Sequence, residues 1–329
     1  MKNENRFAES LKHHLENWAG DIEHFHHDGK HPWVLDRSVA NLNYFGGEEW
    51  ATLLSGKLHK WGHALNSSQA FAVNLFGPAR FAPTVAKSLW NTLPAGQAHP
   101  NPDRVELHFE YSGPDRDFAK RWLGEAGIPT QIDVVAEGIF SEDVRHLQFI
   151  EVKLSESEFG SCRGAKRGKK APNPAPDRCR DLSRIIENPS AQCWLAEAEG
   201  RRYWQIIDNA TSGLEAKADK VGGCPWQGGL YQLMRNWALG RAMLDQGLAA
   251  SVNLAVCVHP GNRAVTALST TVAGTDRVLD AFNSMAGSMK VSELDTRALI
   301  KAQDDAGAAM GWRSYMESRY LPAELSSAV

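Results

Sequence analysis

The sequence predicts an α/β fold in which a mixed central sheet is flanked by helices. Three segments between residues 105 and 154 alternate apolar and polar side chains with the period of a β-strand. Stretches with the apolar spacing of a helix lie before and after these segments, and a further strand-like run follows the second stretch. Consecutive strands enclosed by helices in this way are typical of one sheet that packs against helical layers.

The helices before the sheet are predicted from apolar residues at helical spacing. Short helices are expected at 7–18 and 48–55, a stronger one at 57–75 and another at 83–93. The dipeptide Gly77-Pro78 is expected to end the third of them, because proline lacks a backbone N–H and disfavours a continuing helix. The stretch 94–104 is rich in Pro and Gly and is predicted to be a loop.

The strands are predicted where the alternation is regular, at 105–111, 131–136 and 148–154. A short helix near 118–124 would connect the first two strands. Beyond them we expect a long irregular insertion at 155–225, a helix at 226–246, a strand at 252–259 and helices at 275–285 and 295–320. Strands that follow one another directly are expected to pair as a meander.

One domain with additions explains this order better than two domains. Its core is expected at 57–260, including the insertion, with an N-terminal helical extension at 1–56 and a C-terminal helical part of the same domain at 261–329. With 43% hydrophobic and 23% charged residues, the composition is that of an ordinary globular protein. The polar start and the lack of a long apolar run predict a cytoplasmic protein without a membrane partner. No P-loop, dinucleotide-binding glycine motif or serine-hydrolase motif occurs.

Two neighbouring strands carry candidate catalytic residues. Alternation along the strand at 148–154 places Glu151 and Lys153 on one face, roughly 7 Å apart along the strand. On the preceding strand Asp133 lies between two apolar residues, so pairing of the strands would bring Asp133 towards Glu151. Two such carboxylates repel each other unless a cation lies between them, and Mg²⁺ prefers oxygen ligands. The alternative is an edge strand with a solvated Glu and Lys on its polar face.

The helix predicted at 226–246 carries a second polar group. Gln227 and Tyr231 are four residues apart and would share one face, and Arg235 follows on the same stripe one turn later. Such a stripe could bind a phosphate backbone and hold the water or the lysine in place. The alternative is a partly buried amphipathic helix.

Taken together, Asp133, Glu151-Val152-Lys153 and Gln227-x-x-x-Tyr231 resemble the PD-(D/E)XK nuclease superfamily in its Q-x-x-x-Y branch. That branch includes nuclease modules of bacterial recombination complexes and CRISPR adaptation nucleases. The segments 66–70, 74–76 and 231–236 resemble a restriction-endonuclease-like bacterial family of the same superfamily.

The resemblance implies a restriction-endonuclease-like core with the long insertion before the Q-x-x-x-Y helix. It implies that Asp133 and Glu151 hold Mg²⁺ (or Mn²⁺) and that Lys153 serves the attacking water, with Gln227 and Tyr231 as accessory residues. The expected function is Mg²⁺-dependent hydrolysis of phosphodiester bonds in DNA, in defence or repair, with RNA as an open alternative. Members of the superfamily often place a further metal ligand on the first core helix, where this chain offers His63; Glu110 is the alternative.

Four of the five cysteines lie in the predicted insertion or at its end. Cysteines that cluster in this way within a cytoplasmic chain favour a metal site over disulfides, with Zn²⁺ or an iron–sulfur cluster as the metal. The spacings contain no C-x-x-C pair, so unliganded thiols are the alternative. The candidate ligands are Cys162, Cys179, Cys193 and Cys224.

The insertion is also basic. Between Arg163 and Arg184 it holds eight basic residues against two acidic ones, although the whole chain has a formal charge of −3. Basic side chains neutralise phosphates and give affinity without sequence preference. The candidate nucleic-acid contacts are Lys166, Arg167, Lys169 and Lys170 together with Arg235. The alternative is a solvated loop.

Two further functions compete with an autonomous nuclease. The chain could be a catalytically silent nucleic-acid-binding module on the same fold. It could also be a nuclease that a protein partner of a defence or repair system activates.

Overall fold

The computed structural model describes residues 4–20, 22, 25–27, 29–54, 56–207, 213–214, 221–272, 274–323 and 325. Its centre is a five-stranded sheet in the order β1-β2-β3-β4-β7, with a separate two-stranded sheet of β5 and β6. The strands are β1 (Arg104–Tyr111), β2 (Ile132–Ile139), β3 (Arg145–Lys153), β4 (Ser251–Val258), β5 (Ala267–Val272), β6 (Thr275–Arg277) and β7 (Val291–Glu293).

The central sheet is mixed, as the sequence predicts. Strands β1, β2 and β3 pair as an antiparallel meander, and β4 joins β3 in parallel. Strand β7, which the alternation did not predict, adds three residues in parallel to β4. Strand β3 is therefore the middle strand of the sheet, with a partner on each side.

Helices cover both faces of this sheet. The helices of the described residues are α1 (Glu4–Gly20), α2 (Gly47–Ala51), α3 (Ser68–Phe81), α4 (Pro83–Thr92), α5 (Pro94–Ala98), α6 (Phe118–Leu123), α7 (Leu182–Glu187), α8 (Pro189–Gln192), α9 (Trp194–Glu199), α10 (Tyr203–Ile206), α11 (Tyr231–Asp245), α12 (Val278–Met285), α13 (Thr296–Asp305) and α14 (Trp312–Tyr320). Short 3-10 turns include Arg37–Asn43 and Pro225–Gln227. No described helix is long and apolar enough to cross a lipid bilayer.

Two apolar clusters fill the spaces between the sheet and its helices. Along β3, Ile150, Val152 and Leu154 point into the cluster formed with α3, α4, α13 and α14. Leu147 and Phe149 point into the other cluster, with α6, α11 and the described part of the insertion. Each face of the middle strand is thus buried, and neither is a solvated polar face.

The helix predicted at 57–75 differs from the observed α3. Helix α3 begins only at Ser68, where the Ser67 hydroxyl accepts a hydrogen bond from the Ala70 amide at 3.3 Å. It then continues through Gly77-Pro78 to Phe81, so the predicted stop is wrong. Proline at 78 leaves the Asn74 carbonyl without its usual helical donor. The indole Nε1 of Trp312 donates to that oxygen at 2.7 Å, which removes the cost of the missing bond.

The Trp312 indole bond should be measurable in the free energy of unfolding. Trp312 is fully buried, so Trp312→Phe leaves the Asn74 carbonyl buried without a donor and is expected to cost about 1–3 kcal/mol. In a Pro78→Ala background the amide of residue 78 can donate instead, and the same substitution should cost less. Denaturant titration of the four proteins checks this, and equal costs in both backgrounds would contradict it.

Several other elements begin or end at different residues from those predicted. The stretch 94–104 contains the short helix α5 rather than only a loop, and the helix predicted at 226–246 begins at Tyr231. The segment 275–285 starts as strand β6 before α12. The helix predicted at 295–320 is two helices, separated at Gly311, whose φ of 84° belongs to the left-handed region that glycine tolerates. Part of the predicted insertion at 155–225 lies outside the described residues.

The N-terminal helix packs on the C-terminal one. The carbonyl of Ser318 lies 2.9 Å from Nε2 of His14, and the Trp18 indole donates to the Ser318 hydroxyl at 3.3 Å. The guanidinium of the buried Arg319 lies 4.8 Å from the centre of the Trp18 ring. These contacts join the two ends of the described chain on one side of the sheet.

Candidate active site

Strands β1 and β2 lose their regular pairing at one point, and two carboxylates lie there. Phe109 pairs with Val134 and Tyr111 with Ile132, but Glu110 between them has φ of 49°, in the left-handed region. This conformation is costly for a residue with a side chain, of the order of 1–3 kcal/mol. Its carbonyl accepts a hydrogen bond from Lys57 Nζ at 2.9 Å. The irregularity places the buried Glu110 carboxylate close enough to Glu151 for their charges to interact.

Glu151 and Lys153 form a buried pair in the middle of the sheet. Only 2% of Glu151 and 4% of Lys153 is exposed, and Lys153 Nζ lies 2.7 Å from Glu151 Oε1. The other carboxylate oxygen of Glu151 accepts a hydrogen bond from Asn236 Nδ2 of α11 at 2.8 Å. Glu151 and Lys153 share one face of β3, as predicted. That face is buried on a middle strand, so the alternative of a solvated edge strand is wrong.

Asp133 completes the group on β2. Its Oδ2 accepts a hydrogen bond from the Val152 amide at 2.7 Å, which fixes the carboxylate between the two acidic residues of β1 and β3. Burial, followed by repulsion from Glu151, raises the pKa of Asp133 well above its ordinary value, although Lys153 opposes the shift. Asp133 therefore keeps its negative charge only at an energetic cost.

Glu110 has partners that the sequence did not indicate. The Gln69 amide of α3 donates to Glu110 Oε1 at 2.8 Å, and His59 Nε2 lies 3.9 Å from Oε2. Burial nevertheless raises the pKa of Glu110, and the charge of Glu151 adds to the increase. Lys153 shows the complementary effect, because nearby carboxylates, first Glu151, raise its pKa despite the burial that disfavours an ammonium group.

The group thus holds three carboxylates close to one buried ammonium. Burial, with repulsion between the carboxylates added to it, raises the pKa of Glu110 and of Asp133, and a divalent cation would offset both effects. Carboxylate oxygens are also the ligands that Mg²⁺ prefers. The residues Glu110, Asp133 and Glu151 therefore fit a magnesium or manganese ion by charge and by donor type.

A second acidic group lies further along β1 and β2. Among the described residues, the ligand atoms of Glu106, His108 and Glu137 lie within 4.8 Å of one another, a spacing that could hold a metal ion. Here, however, the carboxylate already has partners, because Glu137 contacts His108 Nε2 and the Arg145 guanidinium, each at 2.9 Å. These partners lower the pKa of Glu137 even though burial raises it. This group is a compensated ion network, whereas the group around Asp133 is not.

Gln227 and Tyr231 do not share a helix face, so that part of the prediction is wrong. Gln227 is exposed in a 3-10 turn, and Gly228 and Gly229 separate it from the first residue of α11. Tyr231 packs edge-on against Tyr203, with ring centres 6.5 Å apart. Neither side chain has a described hydrogen bond to Glu151 or Lys153.

The contact from α11 to the carboxylates comes instead from Asn236, which the sequence reasoning missed. Gln232 and Asn236 have the same four-residue spacing five positions later, and this spacing was the available signal. Gln232 lies at the start of the helix, where its backbone N–H donates to the Phe159 carbonyl at 2.8 Å.

His63 lies away from the carboxylates. Its ring stacks near Trp61, with ring centres 6.3 Å apart, it lines a cleft with Tyr44, Leu58 and His59, and it has no described contact with a carboxylate of the group. The histidine near the site is His59, four residues earlier, beside Glu110. Of the two alternatives for the additional acidic or histidine ligand, Glu110 is the one that lies with Glu151 and Asp133.

A basic cleft adjoins this group. The Arg235 side chain donates to Thr130 Oγ1 at 3.0 Å and lies 3.5 Å from the buried Glu125, which also holds Arg201 at 3.7 Å. Both guanidinium groups line a cleft of about 620 Å³ together with Arg163 and Tyr231. Arg235 lies close enough to Glu151 for their charges to interact, so the cleft lies near the carboxylates.

The predicted basic run is mostly paired and exposed. Five of its arginines form ion pairs with nearby carboxylates: Arg163, Arg167, Arg178, Arg180 and Arg184. Lys166, Lys169 and Lys170 are exposed, and none of them makes an ion pair with a described residue. These three lysines leave their charge available to an anionic partner.

The four predicted cysteine ligands are free thiols that lie together. Cys162, Cys179 and Cys224 are buried and Cys193 is partly buried, and all four belong to or pack against the same apolar cluster. Burial raises the pKa of Cys162 to about 12, and the neighbouring thiols contribute to the increase. The fifth cysteine, Cys257, lies separately in β4.

Comparison with known proteins agrees with this architecture. The model of the family described as "Restriction Endonuclease associating with ARP" matches residues 48–321, which is most of the chain and includes the whole sheet and the carboxylate group. Among curated proteins and among solved structures no match was found. The family suggests a nuclease, and the mixed sheet flanked by helices is consistent with a restriction-endonuclease-like fold. The chain belongs to the family of restriction endonucleases associating with ARP.

Proposed function

We propose that the protein is a Mg²⁺-dependent nuclease that hydrolyses phosphodiester bonds of DNA. The observation that carries the proposal is the group of Glu110, Asp133 and Glu151 beside Lys153 on strands β1, β2 and β3, in which Glu110, Glu151 and Lys153 are buried. Burying charged groups costs free energy that burying apolar side chains would not, so their presence needs a reason beyond stability. A hydrolytic metal centre supplies that reason.

Each side chain has a distinct part in the proposed chemistry. Glu110, Asp133 and Glu151 would hold the cation, which when bound supplies charge stabilisation for the phosphate and a more acidic water. Lys153, held at 2.7 Å by Glu151, orients the attacking water and donates a hydrogen bond to the oxygen on which charge develops. Asn236 fixes the second oxygen of Glu151 and so positions it.

The basic cleft indicates the substrate class. Arg235, Arg201 and Arg163 line it, and guanidinium groups bind phosphate oxygens through paired hydrogen bonds. The buried Glu125 pairs with Arg235 and Arg201, and Glu199, which also lines the cleft, pairs with Arg163 and Arg201. The restriction-endonuclease family supports DNA as the nucleic acid, and a role in defence or repair follows as part of the proposal.

A partner-activated nuclease is the second candidate. The family description names an association with ARP, which favours a protein that works with a partner. Assays with and without the products of neighbouring genes separate the two candidates. Cleavage only in their presence would assign the second.

The experiment that tests the proposal is incubation of purified protein with linear, circular and single-stranded DNA in Mg²⁺, Mn²⁺ or EDTA. We expect cleavage with either metal and none with EDTA. Asp133→Asn should abolish it, whereas Glu137→Gln is the matched control, since Glu137 is a buried carboxylate on the same strand. If Glu137→Gln removed cleavage and Asp133→Asn did not, the metal would belong to the second acidic group.

The exposed lysines of the insertion should control DNA affinity rather than cleavage chemistry. Replacing Lys166, Lys169 and Lys170 together with glutamine should weaken binding and reduce the slope of log affinity against log salt by up to about 3, because each phosphate contact contributes about 0.9. Binding titrations at several salt concentrations measure this slope. Lys301→Gln is the control, since Lys301 is exposed on α13 and already pairs with Asp305. An unchanged slope in the triple variant would place these lysines outside the DNA contact.

A further inference from the structure

The cysteines of the insertion converge although they are far apart in sequence. Residues 162, 179, 193 and 224 come from four separate segments, and the described structure gathers these segments around one short turn at Gly164. The carbonyl of Gly164 accepts a weak hydrogen bond from Cys179 Sγ at 3.9 Å. A Cβ atom added to Gly164 would lie 3.6 Å from Cys162 Sγ and 3.4 Å from the ring of Trp194, the residue after Cys193.

The fourth cysteine reaches the same place through the backbone. The Cys224 backbone amide donates a hydrogen bond to the Cys179 carbonyl at 2.7 Å, so these two residues lie side by side. Each of the four thiols lies close enough to the others for their charges to interact. These four free thiols come from segments with little regular structure and still lie together. Such a grouping indicates a function for the thiols beyond the packing that a single core cysteine provides.

Backbone amide groups lie close to two of the sulfurs. Amide groups of Gly164 and Ala165 point towards the Cys162 sulfur, and the Trp226 amide points towards the Cys224 sulfur. Amide hydrogen bonds to sulfur favour the deprotonated form that ligates metals and tune the metal that it binds. Arg163 of the same insertion lies 5.5 Å from the Trp194 ring centre and pairs with Glu199.

We propose that Cys162, Cys179, Cys193 and Cys224 ligate one iron–sulfur cluster. The spacing of the sulfurs favours this metal centre over a single zinc ion. In a tetrahedral zinc site with Zn–S bonds of about 2.3 Å, the sulfurs lie about 3.8 Å apart. Among the described residues, the one group of three possible ligand atoms that all lie within 4.8 Å of one another is Glu106, His108 and Glu137. No three of the four cysteine sulfurs therefore lie that close together. A cluster of iron and sulfide holds its four thiolates farther apart than one ion does.

The position of the centre gives it a structural role. Cys162 follows Phe159, whose ring centre lies 5.6 Å from Lys153 Nζ, and Cys224 precedes the helix that carries Asn236. The centre therefore ties the two ends of the insertion together directly beside the carboxylate group. It closes a loop of about 60 residues, and such closure stabilises mainly by restricting the unfolded chain.

The test is metal analysis of the full-length protein purified without oxygen. We expect iron and acid-labile sulfide in equal amounts, with broad visible absorbance that dithionite or air alters. One zinc ion per chain without visible absorbance would overturn the cluster. Protein that folds without bound metal, or with disulfides among these cysteines, would overturn the metal centre.

Variants show which residues hold the cluster. Cys193→Ser is the mildest ligand change, because Cys193 is the partly exposed member, and it should lower the iron content and the absorbance by more than half. Cys257→Ser, in β4 and outside the group, should retain wild-type iron content. Lys153→Met should also retain it, so failure of the nuclease proposal would not be mistaken for failure of this one. Equal iron content in the Cys193 and Cys257 variants would contradict the assignment.

Discussion

Lys153→Met is expected to reduce DNA cleavage by about 10²–10⁴-fold, the range typical for loss of a proton-transfer or charge-stabilising group. The ammonium group is buried, and Glu151, Glu156 and Asp133 raise its pKa, so Lys153 stays charged throughout the neutral range. Methionine occupies a similar volume without the charge. Single-turnover cleavage at saturating Mg²⁺ measures the chemical step directly.

Two controls separate catalysis from folding. Methionine and alanine at 153 both leave Glu151 buried without its cationic partner, and alanine also adds a cavity, which costs further stability. The double variant Glu151→Gln with Lys153→Met restores neutrality and should unfold at a higher denaturant concentration than Lys153→Ala, yet remain inactive. Near wild-type cleavage by folded Lys153→Met would remove Lys153 from the mechanism.

Asp133→Asn is expected to abolish cleavage and, without metal, to stabilise the protein by about 1–3 kcal/mol at neutral pH. The carboxylate lies beside Glu151 and its charge is repelled, whereas asparagine keeps an oxygen that can accept the Val152 amide bond. Thermal unfolding in EDTA compares the two proteins. Lower stability of the variant in EDTA would show that Asp133 carries no unfavourable charge.

The same carboxyl group sets a pH dependence with a definite sign. Because its pKa in the folded protein is raised above the ordinary 3.8, the folded state binds the proton more tightly than the unfolded state does. Its contribution to stability is fully present below pH 3.8 and is lost as pH rises through the raised pKa. Added Mg²⁺ should restore stability at the high end of this range in wild type but much less in Asp133→Asn. An equal effect of Mg²⁺ on both proteins would contradict this account.

The sheet could be predicted from the sequence because its signals are local. Alternation locates β1, β2 and β3, and the order of strands and helices indicates the mixed layer. The course of α3 could not be predicted, since the partner that compensates Pro78 is Trp312, 234 positions later in the chain. Only tertiary packing can override a local stop signal in this way.

The candidate site also has a part that could be predicted from the sequence and a part that could not. Asp133, Glu151 and Lys153 follow from strand periodicity, and the structure brings them together as predicted. The positions of Glu110 and His59 depend on a left-handed backbone conformation and on an irregular segment before α3, neither of which has a periodic signal. The prediction that Gln227 and Tyr231 share a helix face was wrong for a related reason. Gly228 and Gly229 delay the start of α11, so the helix residue that contacts Glu151 is Asn236.

The parallel pairing of β3 with β4 has a consequence for folding kinetics. His146 and Ser251 are paired although 105 residues separate them, whereas β1, β2 and β3 pair with close neighbours in the chain. Local pairing forms quickly and long-range pairing forms slowly. We therefore expect the meander with its carboxylates to form during synthesis before α11 and β4 leave the ribosome. We expect the proposed nuclease activity to appear only after α11 and β4 have joined the meander.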